Sequence, residues 1–81
     1  MKFHLYTKDN CPYCTRAKLL LNAKNLEYTE THIGKDITRE EFVDLFPGVM
    51  TAPFVVLELE QEMEHIGGFV DLMNYLEKLN D

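Results

Sequence analysis

The sequence predicts an α/β fold in the order β-α-β-α-β-β-α: a four-stranded mixed sheet with three helices on its two faces. Three observations predict it. Residues 2–33 pass from period-two alternation to strong helix formers and back to β-branched and aromatic residues, a strand-helix-strand pattern. The continuous apolar run Phe54-Val55-Val56-Leu57 has the character of a strand covered on both faces. Apolar residues at helical spacing, Phe69, Leu72, Met73, Leu76 and Leu79, close the chain.

Each element has a local reason. From Lys2 to Thr7, Phe3 and Leu5 fall on one face and His4 and Tyr6 on the other, which is strand one. Asp9-Asn10 signals a turn, Pro12 suits the first position of a helix over 12–24, and Asn25 stops it. Glu27 to Ile33 supplies strand two, which must run parallel to strand one through a right-handed crossover. Thr38 and Glu41 stand at capping-box spacing ahead of Phe42, Leu45 and Phe46, a short helix that Pro47-Gly48 ends. Glu58, Glu60, Glu62 and Glu64 alternate with Leu59, Gln61 and Met63, as in a hairpin with one wet face and its turn near Glu60 to Glu62. Gly67-Gly68 then breaks the pattern before the last helix.

At 81 residues, without repeat or linker, one domain over 1–81 is expected, and its core must be thin. The net charge of −6 excludes the basic footprint of a nucleic-acid binder. Charge is uneven: residues 1–40 hold seven Lys/Arg against five Asp/Glu, and residues 41–81 hold Lys78 against nine acids. Such an acidic half aids solubility or steers a basic partner. No signal-peptide pattern or membrane-length apolar run occurs, so the expectation is a soluble cytoplasmic protein with no membrane or nucleic-acid partner. No apolar stripe asks for a dimer, and a monomer is expected.

Two cysteines three residues apart are too few to staple a small fold, so their purpose is chemical. Cys11-Pro12-Tyr13-Cys14 lies where strand one ends and a helix begins, with Cys11 as N-cap and Cys14 at the third helical position. Unpaired N–H groups and the positive end of the helix dipole then face Cys11 and stabilise a thiolate. Lys8 and Arg16 add positive charge, which makes Cys11 the nucleophile and the more enclosed Cys14 the resolving thiol. Half of a zinc site is the competing reading, but His4, His32 and His65 lack zinc-ligand spacing, and no metal is expected. A Cys-x-x-Cys beside a βαβ pattern reads as a thioredoxin-like redox motif.

Taken together, Tyr6-Thr7-Lys8 before CPYC, Arg16-Ala17-Lys18 after it, Thr51-Ala52-Pro53 before a buried strand, and Gly67-Gly68-Phe69-Val70-Asp71-Leu72 at the last helix resemble the glutaredoxin family. The resemblance covers essentially the whole chain and implies the thioredoxin-like fold. It implies a glutathione-dependent thiol-disulfide oxidoreductase that reduces protein disulfides and glutathione mixed disulfides through Cys11 and Cys14. Ribonucleotide reductase is one substrate the family suggests. Glutathione would be a reducing co-substrate, with no permanently bound cofactor. Pro53 would be the family's cis-proline, exposing the Ala52 backbone to pair with the cysteinyl backbone of glutathione, with Thr51 beside it. N–H groups of Phe69 and Val70 would meet the γ-glutamyl carboxylate, Asp71 its ammonium, Lys8 the glycine carboxylate, and Tyr13 would flank the tripeptide. The pair would lie at about −200 to −230 mV, against about −270 mV for thioredoxin.

The chain departs from the family at Val70, where many members carry a polar residue, and over Asp44 to Met50, which lacks the Gln and Arg common there. Two alternatives therefore stand beside the first reading. One is a glutaredoxin-like electron carrier reduced by thioredoxin reductase. The other is an iron–sulfur cluster module, which a stiff CPYC motif disfavours.

Overall fold

Alternation decides the first strand. Along β1 (Lys2–Thr7) the residues Phe3, Leu5 and Thr7 are buried and those between them are not, because successive side chains leave a strand by opposite faces. The computed structural model, which describes residues 2–79, continues through α1 (Pro12–Ala23), β2 (Tyr28–His32), α2 (Arg39–Leu45), β3 (Phe54–Glu58), β4 (Met63–Gly67) and α3 (Phe69–Leu79). This is the expected order. The expected domain limits at 1 and 81, and the last helix beyond Leu79, lie outside the described residues.

The sheet runs β2-β1-β3-β4. β1 is parallel to β2, with Thr7 opposite His32, and antiparallel to β3, with Tyr6 opposite Phe54. β3 and β4 form the hairpin, closed by Leu59 N–H donating to the Glu62 carbonyl at 2.9 Å, with a register shift between Val55 and Val56.

Two cores hold the helices. On one face Ala17 and Leu21 of α1 and Leu72 and Leu76 of α3, each pair at i, i+4, pack on Phe3, Leu5, Val55 and Leu57. On the other face Phe42 of α2 joins Phe54 and Val56, with Tyr6 and Phe46 at the margin. The four rings Tyr6, Phe42, Phe46 and Phe54 touch in tilted or edge arrangements that suit aromatic quadrupoles. β3 contributes to both cores, which is why its run is apolar without alternation.

Local signals end the helices as expected. Asn25 takes φ 55, and the N–H groups of Asn25 and Leu26 donate to the carbonyls of Asn22 and Leu21, a Schellman cap one residue after Lys24. α2 carries its full capping box: Glu41 N–H donates to Thr38 Oγ1 at 3.0 Å and Thr38 N–H to Glu41 Oε1 at 2.9 Å.

Several expectations need correction. β2 is shorter than Glu27 to Ile33: Ile33 lies past its end, where its N–H donates to the Thr7 carbonyl at 2.8 Å and it forms an isolated bridge to Ile37. Leu45, Met73 and Leu79 sit at core spacing but are exposed. A two-turn α2 meets the sheet through Phe42, and α3 meets it through Leu72 and Leu76, so neighbours of those positions turn to solvent. The single wet face expected of the acidic hairpin fails on β4, an edge strand whose Met63, Glu64 and His65 are all exposed.

Candidate active site

The site begins at the cap of α1. Asn10 takes φ 54, the left-handed region that Asn tolerates, and so turns the chain sharply from β1 into the helix. Cys11 follows in extended conformation as N-cap, its sulfur accepting the Cys14 N–H at 3.2 Å. Pro12 fills the first helical position, where a missing N–H costs nothing. The first turn holds no acid, so no carboxylate there offsets the positive helix end at the sulfur. Cys11 is half-buried and Cys14 buried, the order expected of an attacking and a resolving sulfur. The two are joined as a disulfide with Cα atoms 5.3 Å apart.

Two further segments close on this sulfur. The Ala52-Pro53 peptide is cis, as the resemblance implied, and Pro53 is buried. The Ala52 carbonyl oxygen lies 3.5 Å from Cys11 Sγ. A disulfide sulfur has no proton, so this is a contact in the oxidised protein and becomes a possible S–H hydrogen bond only in the thiol.

The third segment is the start of α3. Gly67 has φ 118, a conformation that favours glycine, and a Cβ there would run into the Asp71 carboxylate. Gly68 N–H donates to Asp71 Oδ2 at 3.0 Å, and Leu72 N–H donates back to the Gly68 carbonyl at 3.0 Å, which makes Gly68 the cap. A methyl on Gly68 would sit 3.8 Å from the Pro53 carbonyl oxygen, so this helix start abuts the proline loop. Phe69 and Val70 N–H groups, in the first turn, have no intrahelical acceptor.

An aromatic wall joins the two helix starts. The Tyr13 and Phe69 rings lie 5.8 Å apart, and the Arg16 guanidinium sits 5.0 Å over the Tyr13 ring. Of the residues singled out in the sequence, Cys11, Cys14, Tyr13, Ala52, Pro53 and Phe69 therefore meet, and Asp71 caps the same α3 terminus. Lys8, Thr51 and Val70 are exposed, and among the described residues neither Lys8 nor Thr51 makes a side-chain hydrogen bond or ion pair. Asp71 already uses one carboxylate oxygen within its own helix start, a capping role that leaves its other oxygen to spare.

Sequence reasoning missed two supports. The stacking of Arg16 on Tyr13 was legible in their i, i+3 spacing, but the Phe69 ring behind them was not. Beneath the site, buried Thr7 donates to Glu30 Oε2 at 2.6 Å, and Lys18 of α1 pairs with the same carboxylate at 3.1 Å. The Thr7 hydroxyl first, and Lys18 after it, hold the Glu30 carboxyl below its ordinary range against the opposing effect of burial. Among the described residues no group of three or more His, Cys, Asp or Glu side chains is placed to hold a metal ion.

Known proteins resemble this chain in sequence and in fold. The sequence model of the family Glutaredoxin matches residues 4–68. Glutaredoxin 3 of Escherichia coli K12 is 37% identical over 68 residues, covering 84% of this chain and 77% of that protein. Glutaredoxin 1 of Rickettsia prowazekii is 39% identical over 77 residues, covering 91% and 75%. The crystal structure of glutaredoxin 1 from Francisella tularensis, complexed with cacodylate, superposes with a TM-score of 0.73 at 33% identity, over 99% of this chain and 98% of that one. The family model, the relatives and the superposed fold agree, and the chain belongs to the glutaredoxin family of thiol-disulfide oxidoreductases.

Proposed function

We propose that this protein is a dithiol glutaredoxin proper: a single-domain, monomeric, cytoplasmic reductant of protein disulfides and glutathionylated proteins that takes its electrons from glutathione. Ribonucleotide reductase is a candidate substrate on family grounds alone. The observation that carries the reading is the meeting of three segments, Cys11 Sγ 3.5 Å from the Ala52 carbonyl and the α3 start against Pro53. A cysteinyl peptide laid along Ala52 would have its own sulfur directed at Cys11, while the free N–H groups of Phe69 and Val70 suit a carboxylate. Asp71 then faces an ammonium, Lys8 a second carboxylate, and Tyr13 and Thr51 bound the groove. Glutathione carries all of these groups.

In the reaction, the Cys11 thiolate attacks one sulfur of a substrate disulfide, forming a mixed disulfide and releasing the other sulfur as a thiolate that takes up a proton. Cys14, deprotonated, attacks Cys11 Sγ and releases the reduced substrate, leaving the Cys11–Cys14 disulfide. One glutathione thiolate attacks Cys11 and frees Cys14; a second attacks the glutathionyl sulfur and frees Cys11, giving oxidised glutathione. Substrate gains two electrons and two glutathiones lose them. With a glutathione mixed disulfide, Cys11 alone completes the cycle.

NADPH consumption with a small glutathione mixed disulfide tests this, run once with glutathione and glutathione reductase and once with thioredoxin reductase alone. The expected result is turnover with the glutathione couple that survives Cys14→Ser. Turnover with thioredoxin reductase alone would overturn the glutathione reading and leave the thiol-disulfide chemistry in place.

A further inference from the structure

β1 reaches Cys11 through a three-residue turn, Lys8-Asp9-Asn10, all exposed. The side chain that ties this turn to the body of the protein is Asp9: its Oδ1 lies 3.0 Å from His32 Nε2. Asp9 is largely exposed, whereas the His32 side chain is only 18% exposed. His32 is itself held firmly. It ends β2 opposite Thr7, its N–H donates to Asp36 Oδ2 at 2.7 Å, and its carbonyl accepts the Asp36 N–H at 2.8 Å. Its other ring nitrogen, Nδ1, is buried and has no hydrogen-bond partner among the described residues. In the neutral ring the proton therefore belongs on Nε2, where it is donated to Asp9.

We infer that His32 is a positioning residue for Cys11: it clamps Asp9 and with it the turn that delivers the nucleophile. The inference rests on the reading of Cys11 as nucleophile.

The test is the rate of alkylation of Cys11 by iodoacetamide from pH 4 to 9 in reduced Cys14→Ser protein, where one thiol reports. In this background the profile is expected to show the thiol inflection of Cys11. His32→Gln retains a donor at the Nε2 position and is expected to keep the wild-type rate, as is Asp9→Asn, which retains an acceptor. His32→Leu and Asp9→Ala each remove one partner of the clamp and are expected to slow alkylation about two- to fourfold at every pH, the scale of one exposed ion pair. Superimposable profiles for Asp9→Ala, whose exposed side chain gives no reason to misfold, would overturn the inference even if the His32 variants fail to fold. A Cys11 no more reactive than a free thiol, in every variant, would instead overturn the nucleophile reading on which it rests.

Discussion

Two helices of this protein start with the same device and use it for opposite ends. At α2 the Thr38 hydroxyl accepts the Glu41 N–H, Glu41 returns the bond, and Glu40 and Glu41 set negative charge against the positive helix end. At α1 the cap atom is the sulfur of Cys11, it accepts the Cys14 N–H, and the first turn contains no acid. One terminus is satisfied by fixed groups, so its field is used up in stability. The other is left open at the sulfur of Cys11. The contrast teaches that a helix start becomes reactive through what is withheld from its first turn as much as through what is placed there.

The strongest way to break this comparison is to give α1 the cap of α2. Cys11→Ser supplies a good N-cap oxygen and removes the nucleophile, so turnover of a glutathione mixed disulfide is expected to fall to background while the unfolding free energy of the reduced protein, measured in urea, stays within about 0.5 kcal/mol of wild type. Residual turnover above background would contradict the assignment of Cys11. The reciprocal change, Thr38→Ala, is expected to cost about 1 kcal/mol of stability in the same urea measurement and leave turnover unchanged.

Charge sharpens the contrast further. Thr15→Glu puts an acid at the fourth helical position, one past Cys14, and should lower the alkylation rate of reduced Cys11 at pH 6 by about two- to threefold, as expected for a carboxylate near a helix start that carries a thiolate. Val43→Glu, at the fifth position of α2, should leave that rate alone.

The smallest effect concerns Glu30. Its carboxyl is held below its ordinary range, by Thr7 foremost, so the folded form binds its proton less readily than the unfolded chain does. The stabilisation is complete above the unfolded value and is lost as pH falls through the folded one. Thr7→Val keeps the shape and removes the hydroxyl. Its stability, followed by urea melts between pH 3 and 6, is expected to lean less on pH than that of wild type.

Legibility in the sequence followed the range of the interaction. Thr38 with Glu41, Pro12 at the start of α1, and Asn25 at its end act within a few residues, and all three appear where the sequence puts them. β1 and β3 were equally plain, because burial on one face or on two writes itself into every residue. Leu45, Met73 and Leu79 misled because periodicity records a stripe, and how much of the stripe is covered depends on the neighbour it meets. The ring of Phe69 behind Tyr13, the Thr7 bond to Glu30 and the clamp of His32 on Asp9 join residues from different elements, and none leaves a local pattern. At the site, the cysteine pair and the proline loop were legible from motifs. The capping use of Asp71 on Gly68 N–H emerged only with the geometry of the α3 start.

The central claim is that the start of α1 is built to hold a thiolate at Cys11. Its most direct test is the thiolate absorbance of reduced Cys14→Ser protein near ~240 nm, titrated with pH. The account predicts an inflection between about 3.5 and 7.5, the range of cysteines at helix N-termini beside positive charge. An inflection at or above about 8.5, the value of a free cysteine, would contradict it.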